Sequence, residues 1–177
     1  MSKPKYPLPA KLIMSIIFSS EDLILGVLKD ICDQFGQIDF ISEWFSFSHT
    51  KYYEKEMGPN LKRKFISFDK LISMDCLPWV KERTNELELR YSDISGKRKV
   101  NIDPGILTVQ NLVLSTGKPA SHRIYLGKGI YGDLTLIYRS KTFTSLEWTY
   151  PDYASREIIE LFNGMRLRYL YKLREEI

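Results

Sequence analysis

The segment Leu12-Ile13-Met14-Ser15-Ile16-Ile17-Phe18 restricts the fold more than any other, because it is apolar at odd and even positions alike. A strand with one wet face alternates. One without alternation needs cover on both sides, so this segment predicts a central strand between two layers. Its seven residues are too few to span a bilayer. Ser19-Ser20-Glu21-Asp22 then reads as a helix start, with hydroxyls for the free amides and acids for the positive end of the helix dipole. Ile24, Leu28, Ile31 and Phe35 recur at helical spacing, and Gly36 supplies the stop.

Residues 38–48 read as a second strand whose alternation slips at Glu43-Trp44, which predicts a bulge. A polar, aromatic loop over residues 49–59 precedes a third strand, residues 62–69. Asp75 is placed to cap a second helix in which Leu77, Val80, Thr84, Leu87 and Tyr91 share a face. Its end, Glu86-Leu87-Glu88-Leu89-Arg90, also alternates as a strand does; we read it as helix. Ser95-Gly96 turns the chain into a fourth strand, residues 98–103, stopped by Pro104-Gly105. This order predicts an α+β fold with a ferredoxin-like β-α-β-β-α-β core.

Beyond it, residues 108–116 read as a short helix, and residues 122–126, 130–138 and 143–147 as strands. Gly127-Lys128-Gly129 and Ser140-Lys141 are the turns between those strands. A last helix from about Ser155 carries Ile158, Phe162, Met165 and Tyr169 as its stripe. The expectation is one domain over residues 1–177. Residues 1–104 form its ferredoxin-like half, and residues 105–177 extend it with an antiparallel hairpin and a C-terminal helix.

A composition of 44% hydrophobic and 27% charged residues is that of a globular chain rather than a disordered one. The net charge of +4 admits a small anionic ligand but falls short of a dedicated nucleic-acid binder. The basic runs Lys62-Arg63-Lys64 and Lys97-Arg98-Lys99 read as solvated strand or turn. Cys32 and Cys76 lie far apart, outside any metal spacing, and no secretory signal precedes them. Free thiols in a reducing cytoplasm, with no membrane partner, are the expectation. No phosphate loop, dinucleotide fingerprint, zinc-binding helix or nucleophile elbow occurs, and the sequence leaves metal and cofactor unknown.

Four stretches hold the candidate chemistry. Asn101 and Asp103 point to one side of a strand that ends at Pro104-Gly105, either to meet a ligand or to accept turn amides. His122 and Arg123 point opposite ways in a strand, so at most one enters a given cleft. His122, with Lys118 nearby, suits acid-base work on an anion, and Arg123 suits a carboxylate or phosphate clamp. In Trp148-Thr149-Tyr150-Pro151-Asp152-Tyr153, Asp152 either caps the last helix while the rings staple it, or forms a pocket's polar group with Trp148, Tyr150 and Tyr153 beside it. The loop with His49, Glu54 and Glu56 offers acids and a histidine, or is a solvated connection.

The motifs Asn101-Ile102-Asp103-Pro104-Gly105, His122-Arg123-Ile124-Tyr125-Leu126-Gly127 and Trp148-Thr149-Tyr150-Pro151-Asp152-Tyr153 resemble, in this order, signature stretches of the bacterial domain-of-unknown-function family 4416. Tyr52-Tyr53-Glu54-Lys55-Glu56-Met57-Gly58 and Lys81 with Thr84-Asn85 are similar to its other characteristic segments. Ile106 and Asp133 stand where the resemblance leads one to expect a tyrosine and a glutamate. The resemblance implies a relative and no activity, cofactor or partner.

Three function classes remain. The first is an enzyme or binding protein for a small anionic, nucleotide- or phosphate-bearing metabolite. Its candidate acid-base groups are His122, Asp103 and Asp152; its candidate ligand contacts are Asn101, Lys118, Arg123, Asp133, Trp148, Tyr150, Tyr153, His49 and Glu56. The second is an interaction or assembly module docking through the last helix, and the third, less favoured, is an RNA reader on a four-stranded sheet. Substrate, reaction and oligomeric state stay open.

Overall fold

The computed structural model describes residues 1, 3–48 and 52–176. Every residue of β1 (Ala10–Phe18) is buried, as its unbroken apolar pattern requires. Its even positions Leu12, Met14, Ile16 and Phe18 pack under α1 (Glu21–Phe35) and α3 (Leu77–Arg90), through Ile24, Val27 and Ile31 of the first and Val80 and Leu87 of the second. On the opposite face Ile13 joins Phe65, Leu112, Leu136 and the stripe Ile158, Phe162, Met165, Tyr169 and Leu173 of α4 (Arg156–Glu176). The sheet therefore lies between two helical layers.

Among the described residues that sheet has nine strands, all antiparallel, in the order β2 (Ile38–Ile41), β4 (Lys62–Ile72), β1, β5 (Val100–Leu107), β6 (Asn111–Thr116), β8 (Ile130–Arg139) and β7 (Arg123–Gly127), with two more paired to β4 and β8. The expected strand over residues 38–48 is instead two short strands, β2 (Ile38–Ile41) and β3 (Phe45–Ser46), both on β4 (Lys62–Ile72). The alternation slips where they separate, and the Ser42 hydroxyl fills the break by accepting from Phe65 N at 2.9 Å. Between them and β4 lies a single turn of helix, α2 (Glu54–Met57). Beyond β4, Asp75 does not cap α3. It sits in a 3-10 turn, Met74–Cys76, and accepts from the Ser73 hydroxyl. Residues 86–90 are helical, as read.

β5 (Val100–Leu107) does not stop at Pro104-Gly105 but runs through them, and residues 111–116 form β6 (Asn111–Thr116) rather than a helix. Leu112 and Leu114 alternate inward there, and burial under α4 outweighs the helical spacing of Val109, Leu112 and Val113. The extension is larger than one hairpin: β7 (Arg123–Gly127), β8 (Ile130–Arg139) and β9 (Thr142–Ser145) continue the same sheet. β6 occupies one side of β8, so β7 and β9 share the other, end to end. Between them the Trp148 indole donates to Leu134 O at 2.8 Å and the Thr149 hydroxyl to Thr135 O at 2.7 Å, which satisfies these two carbonyls of β8.

The fork between β5 and β6 positions the cavity described below. β5 pairs with β1 along its whole length but with β6 only over Gly105–Leu107. Pro104 has no N–H to offer, and its carbonyl accepts from the Ser115 hydroxyl at 2.8 Å. Gly105 sets how closely the strands approach at the fork, since a Cβ there would lie 2.7 Å from Val113 O and 2.8 Å from Leu114 Cδ2. Gly105→Ala must therefore push β5 and β6 apart. The expected loss, measured by urea unfolding, is about 1–3 kcal/mol; an unchanged midpoint would show that the fork tolerates spreading.

Candidate functional site

Below the fork no strand among the described residues pairs with the outer edge of β5, and α3 supplies the missing partners. Glu88 Oε1 accepts from Ile102 N at 2.6 Å, and Lys81 Nζ donates to Ile102 O at 2.9 Å. Lys81 also reaches Asp103 Oδ1 at 3.2 Å, and Asn101 Nδ2 donates to Asp103 Oδ2 at 2.7 Å. Arg98 completes this wall. Its Nε and Nη2 each lie 2.8 Å from a Glu56 oxygen, and Nη1 donates to Glu88 Oε2 at 2.6 Å and to Asn101 Oδ1 at 3.1 Å.

The fork opens into a cavity of about 610 Å³. Asn101 and Asp103 enter it because their register partners on β1 are Ile17 and Ser15, which point away from α1 and α3. Leu114, Asp133 and Arg123 lie in register on that same face, from β6, β8 and β7. The segment before α4 adds Tyr150, Asp152 and Tyr153, and the segment around α2 adds Tyr52 and Tyr53. A chain of hydrogen bonds edges the opening. Lys118 Nζ donates to the Tyr52 hydroxyl at 2.9 Å, Arg123 Nη1 to Lys118 O at 2.9 Å, and Arg123 Nη2 to the Tyr150 hydroxyl at 3.0 Å.

The candidates Asp103, Asp152, Asn101, Lys118, Arg123, Asp133, Tyr150 and Tyr153 all line this one cavity. His122 and Trp148 do not. They stack at 5.2 Å in a neighbouring hollow with Ser121 and Glu147, although His122 Nε2 stands 3.4 Å from Asp133 Oδ2. His122 and Arg123 do not diverge either. His122 precedes β7, so strand alternation does not govern it, and both side chains converge on Asp133. Asp152 accepts from Tyr153 N and pairs with Arg63, and the α4 cap falls to Ser155, whose hydroxyl accepts from Ile158 N at 3.4 Å. Glu56 stands behind the wall, holding Arg98. His49 lies outside the described residues.

Arg63, Lys81, Glu88 and Arg98 are not among the candidate site residues of the sequence, although Lys81 belongs to a segment that carries the family resemblance. Arg63 and Arg98 belong to the runs read as solvated, yet Arg63 is buried and Arg98 is held on three sides. The signal for Arg63 was its spacing of two from Phe65, which puts both on one face of β4. Nothing comparable marks Glu88, whose role depends on the fork. Among the described residues no group of histidine, cysteine and acidic side chains is arranged to hold a metal ion.

Burial sets the electrostatics. It pushes the Glu88 carboxyl above the usual glutamate range, against the pull of Lys81 and of the hydrogen bonds from Ile102 N and Arg98. The hydrogen bonds from Arg98 hold Glu56 below that range, and burial raises the Tyr53 and Tyr153 hydroxyls.

A family profile described as a domain of unknown function, DUF4416, matches residues 8–169. The chain belongs to the DUF4416 family. No curated protein and no solved structure matches it, so the chemistry of this DUF4416 domain has to be read from the cavity itself. Among the described residues no helix is long and apolar enough to cross a membrane.

Two outcomes follow for the charged wall. Between the ordinary glutamate value and the raised value of Glu88, the folded state keeps a proton that the unfolded state releases, so this group's contribution to stability falls as pH rises. Glu88→Gln removes that slope; urea unfolding of the two proteins at stepped pH should show the wild type losing stability relative to the variant through the window, and parallel curves would contradict it. Lys81→Met leaves Ile102 O and Asp103 without their cation and should cost about 3–5 kcal/mol in the same assay.

Proposed function

We propose that this DUF4416 domain binds a small anionic metabolite, nucleotide- or phosphate-bearing, in the cavity at the β5–β6 fork. The observation that carries the reading is the convergence on one hollow of side chains from α3, β4, β5, β8 and the segments before β7 and α4. Its volume of about 610 Å³ falls within the ~300–1,000 Å³ usual for metabolite pockets. The wall pairs most of its charges internally: Lys81 with Asp103, Arg98 with Glu56 and Glu88, Arg123 with Asp133, Arg63 with Asp152. Lys118 has no ion pair among the described residues and stands at the opening, which makes it the natural first contact for an anion. Along the lining, Asn85, Asn101 and Asp103 offer donors and acceptors for a polar body. Asp103, with 30% of its side chain exposed, is the acid best placed for proton transfer if a reaction occurs there.

The finer fold and cellular assignments belong to this reading too. The strand order β2-β4-β1-β5 with α1 and α3 on one face supports a ferredoxin-like unit within the larger sheet. The two free cysteines support a reducing cytoplasm. An RNA reader needs a bare sheet face, whereas α1 with α3 and α4 pack on opposite faces here. A partner-binding role has one observation in its favour. On β7, at the end of the strand order, Ile124, Tyr125 and Leu126 are 72%, 59% and 41% exposed.

A thermal-shift panel of inorganic phosphate, nucleoside monophosphates, sugar phosphates and small carboxylates tests the ligand reading. A ligand at a hundredfold excess over its dissociation constant adds about 2.7 kcal/mol, or roughly 5–10 °C for a chain of this size. Lys118→Ala should weaken any such ligand about tenfold or more. A panel that leaves the melting temperature unmoved, or a hit indifferent to Lys118→Ala, defeats the proposal.

A further inference from the structure

Arg63 rises from the α4 face of the sheet and lines the cavity with only 8% of its side chain exposed. Its guanidinium carbon lies 4.4 Å from the Phe47 ring centroid and 5.3 Å from that of Tyr153. Nη1 is committed to Asp152. Nε is sealed from bulk water and has no hydrogen-bond partner, and among the described residues nothing accepts from Nη2. A buried donor left unsatisfied, as Nε is here, is costly. Arg98 shows what this edge of an arginine is suited to hold: its own Nε and Nη2 grip the two oxygens of Glu56, each at 2.8 Å.

We infer that the Nε–Nη2 edge of Arg63 is an oxyanion subsite that takes two coplanar oxygens of a carboxylate or phosphoryl group on the ligand; this rests on the cavity being a ligand site. Asp152 already balances the Arg63 charge, so the subsite selects by the geometry of its fork more than by net attraction. The rings of Phe47 and Tyr153 lie beside the guanidinium, and water has no access to Nε. Lys118 at the opening and Arg63 within then divide the work, one drawing the anion in and the other fixing its orientation.

Calorimetric titration of inorganic phosphate, adenosine monophosphate and succinate into the wild type, Arg63→Lys and Asp152→Asn tests the subsite. Arg63→Lys keeps the charge and loses the fork, so the affinity of the bound probe should fall about tenfold or more. Asp152→Asn removes a competing carboxylate and should bind as well as the wild type or better. In the wild type, the Arg63 Nε–H resonance, assigned through bonds to its own side-chain carbons, should move as the probe is added, a readout that needs no folded variant. Dependence on Arg63 with succinate alone assigns the subsite to a carboxylate, and with the two phosphates alone to a phosphoryl group; either supports it. Unchanged affinity in Arg63→Lys, or a still resonance while the probe binds, overturns the subsite and leaves the cavity reading intact. If no probe binds the wild type, both fall together.

Discussion

Ile102 sits in the interior of a nine-stranded sheet with a strand on one side of its backbone and, among the described residues, none on the other. A buried N–H and C=O pair in that position must be satisfied from somewhere. Here the partners are side chains of α3, with Glu88 taking the amide and Lys81 the carbonyl. Because those partners are charged, they bring Asp103 and Arg98 with them, and through Arg98 they fix Glu56 of α2. The polar wall of the cavity thus follows from Pro104: where the ladder to β6 fails, strand pairing gives way to ionic side chains.

Such a wall is a poor source of net stability. Taking a charge out of water costs several kcal/mol, and a mutual attraction of good geometry roughly offsets that cost. Glu88 displays the balance, since burial raises its carboxyl even with Lys81 and Arg98 beside it. An apolar filling of the same volume would stabilise the fold at least as well. The network is better understood as a rigid, preorganised set of donors and acceptors around an opening in the sheet. Arg63 fits this account, because Asp152 and its neighbouring rings hold it in place while its buried Nε stays without a partner.

The sequence made the local features plain. Unbroken apolarity in β1, the Ser20 cap and Gly36 stop of α1, and the stripe along α4 each depend on neighbours within a few residues, and each is found where the pattern put it. Features set by long-range pairing were illegible. Val109, Leu112 and Val113 fit a helix, and only the neighbouring strands β5 and β8 make that stretch β6. Asn101 and Asp103 could be read as sharing a face; that Ile102 between them lacked a strand could not, and so neither could the roles of Lys81 and Glu88. Basic runs were misread for a related reason. In Lys62-Arg63-Lys64 the middle residue shares its face with Phe65, and a run judged by its mean charge hides that alternation.

Trp148-Thr149-Tyr150-Pro151-Asp152-Tyr153 admitted two readings, a staple for the sheet or a wall for a pocket, and the geometry shows that they are not exclusive. Trp148 and Thr149 close the gap on β8 between β7 and β9, which is structural work. That anchoring carries the next residues over the face occupied by Asp133 and Arg123, so Tyr150 meets Arg123 and Asp152 meets Arg63. Edge repair at one end of the segment therefore determines where cavity-lining groups fall at the other. Loss of the Trp148 anchor would disturb the opening of the cavity without removing any group that lines it, so a weakened ligand in a Trp148 variant would implicate positioning rather than contact.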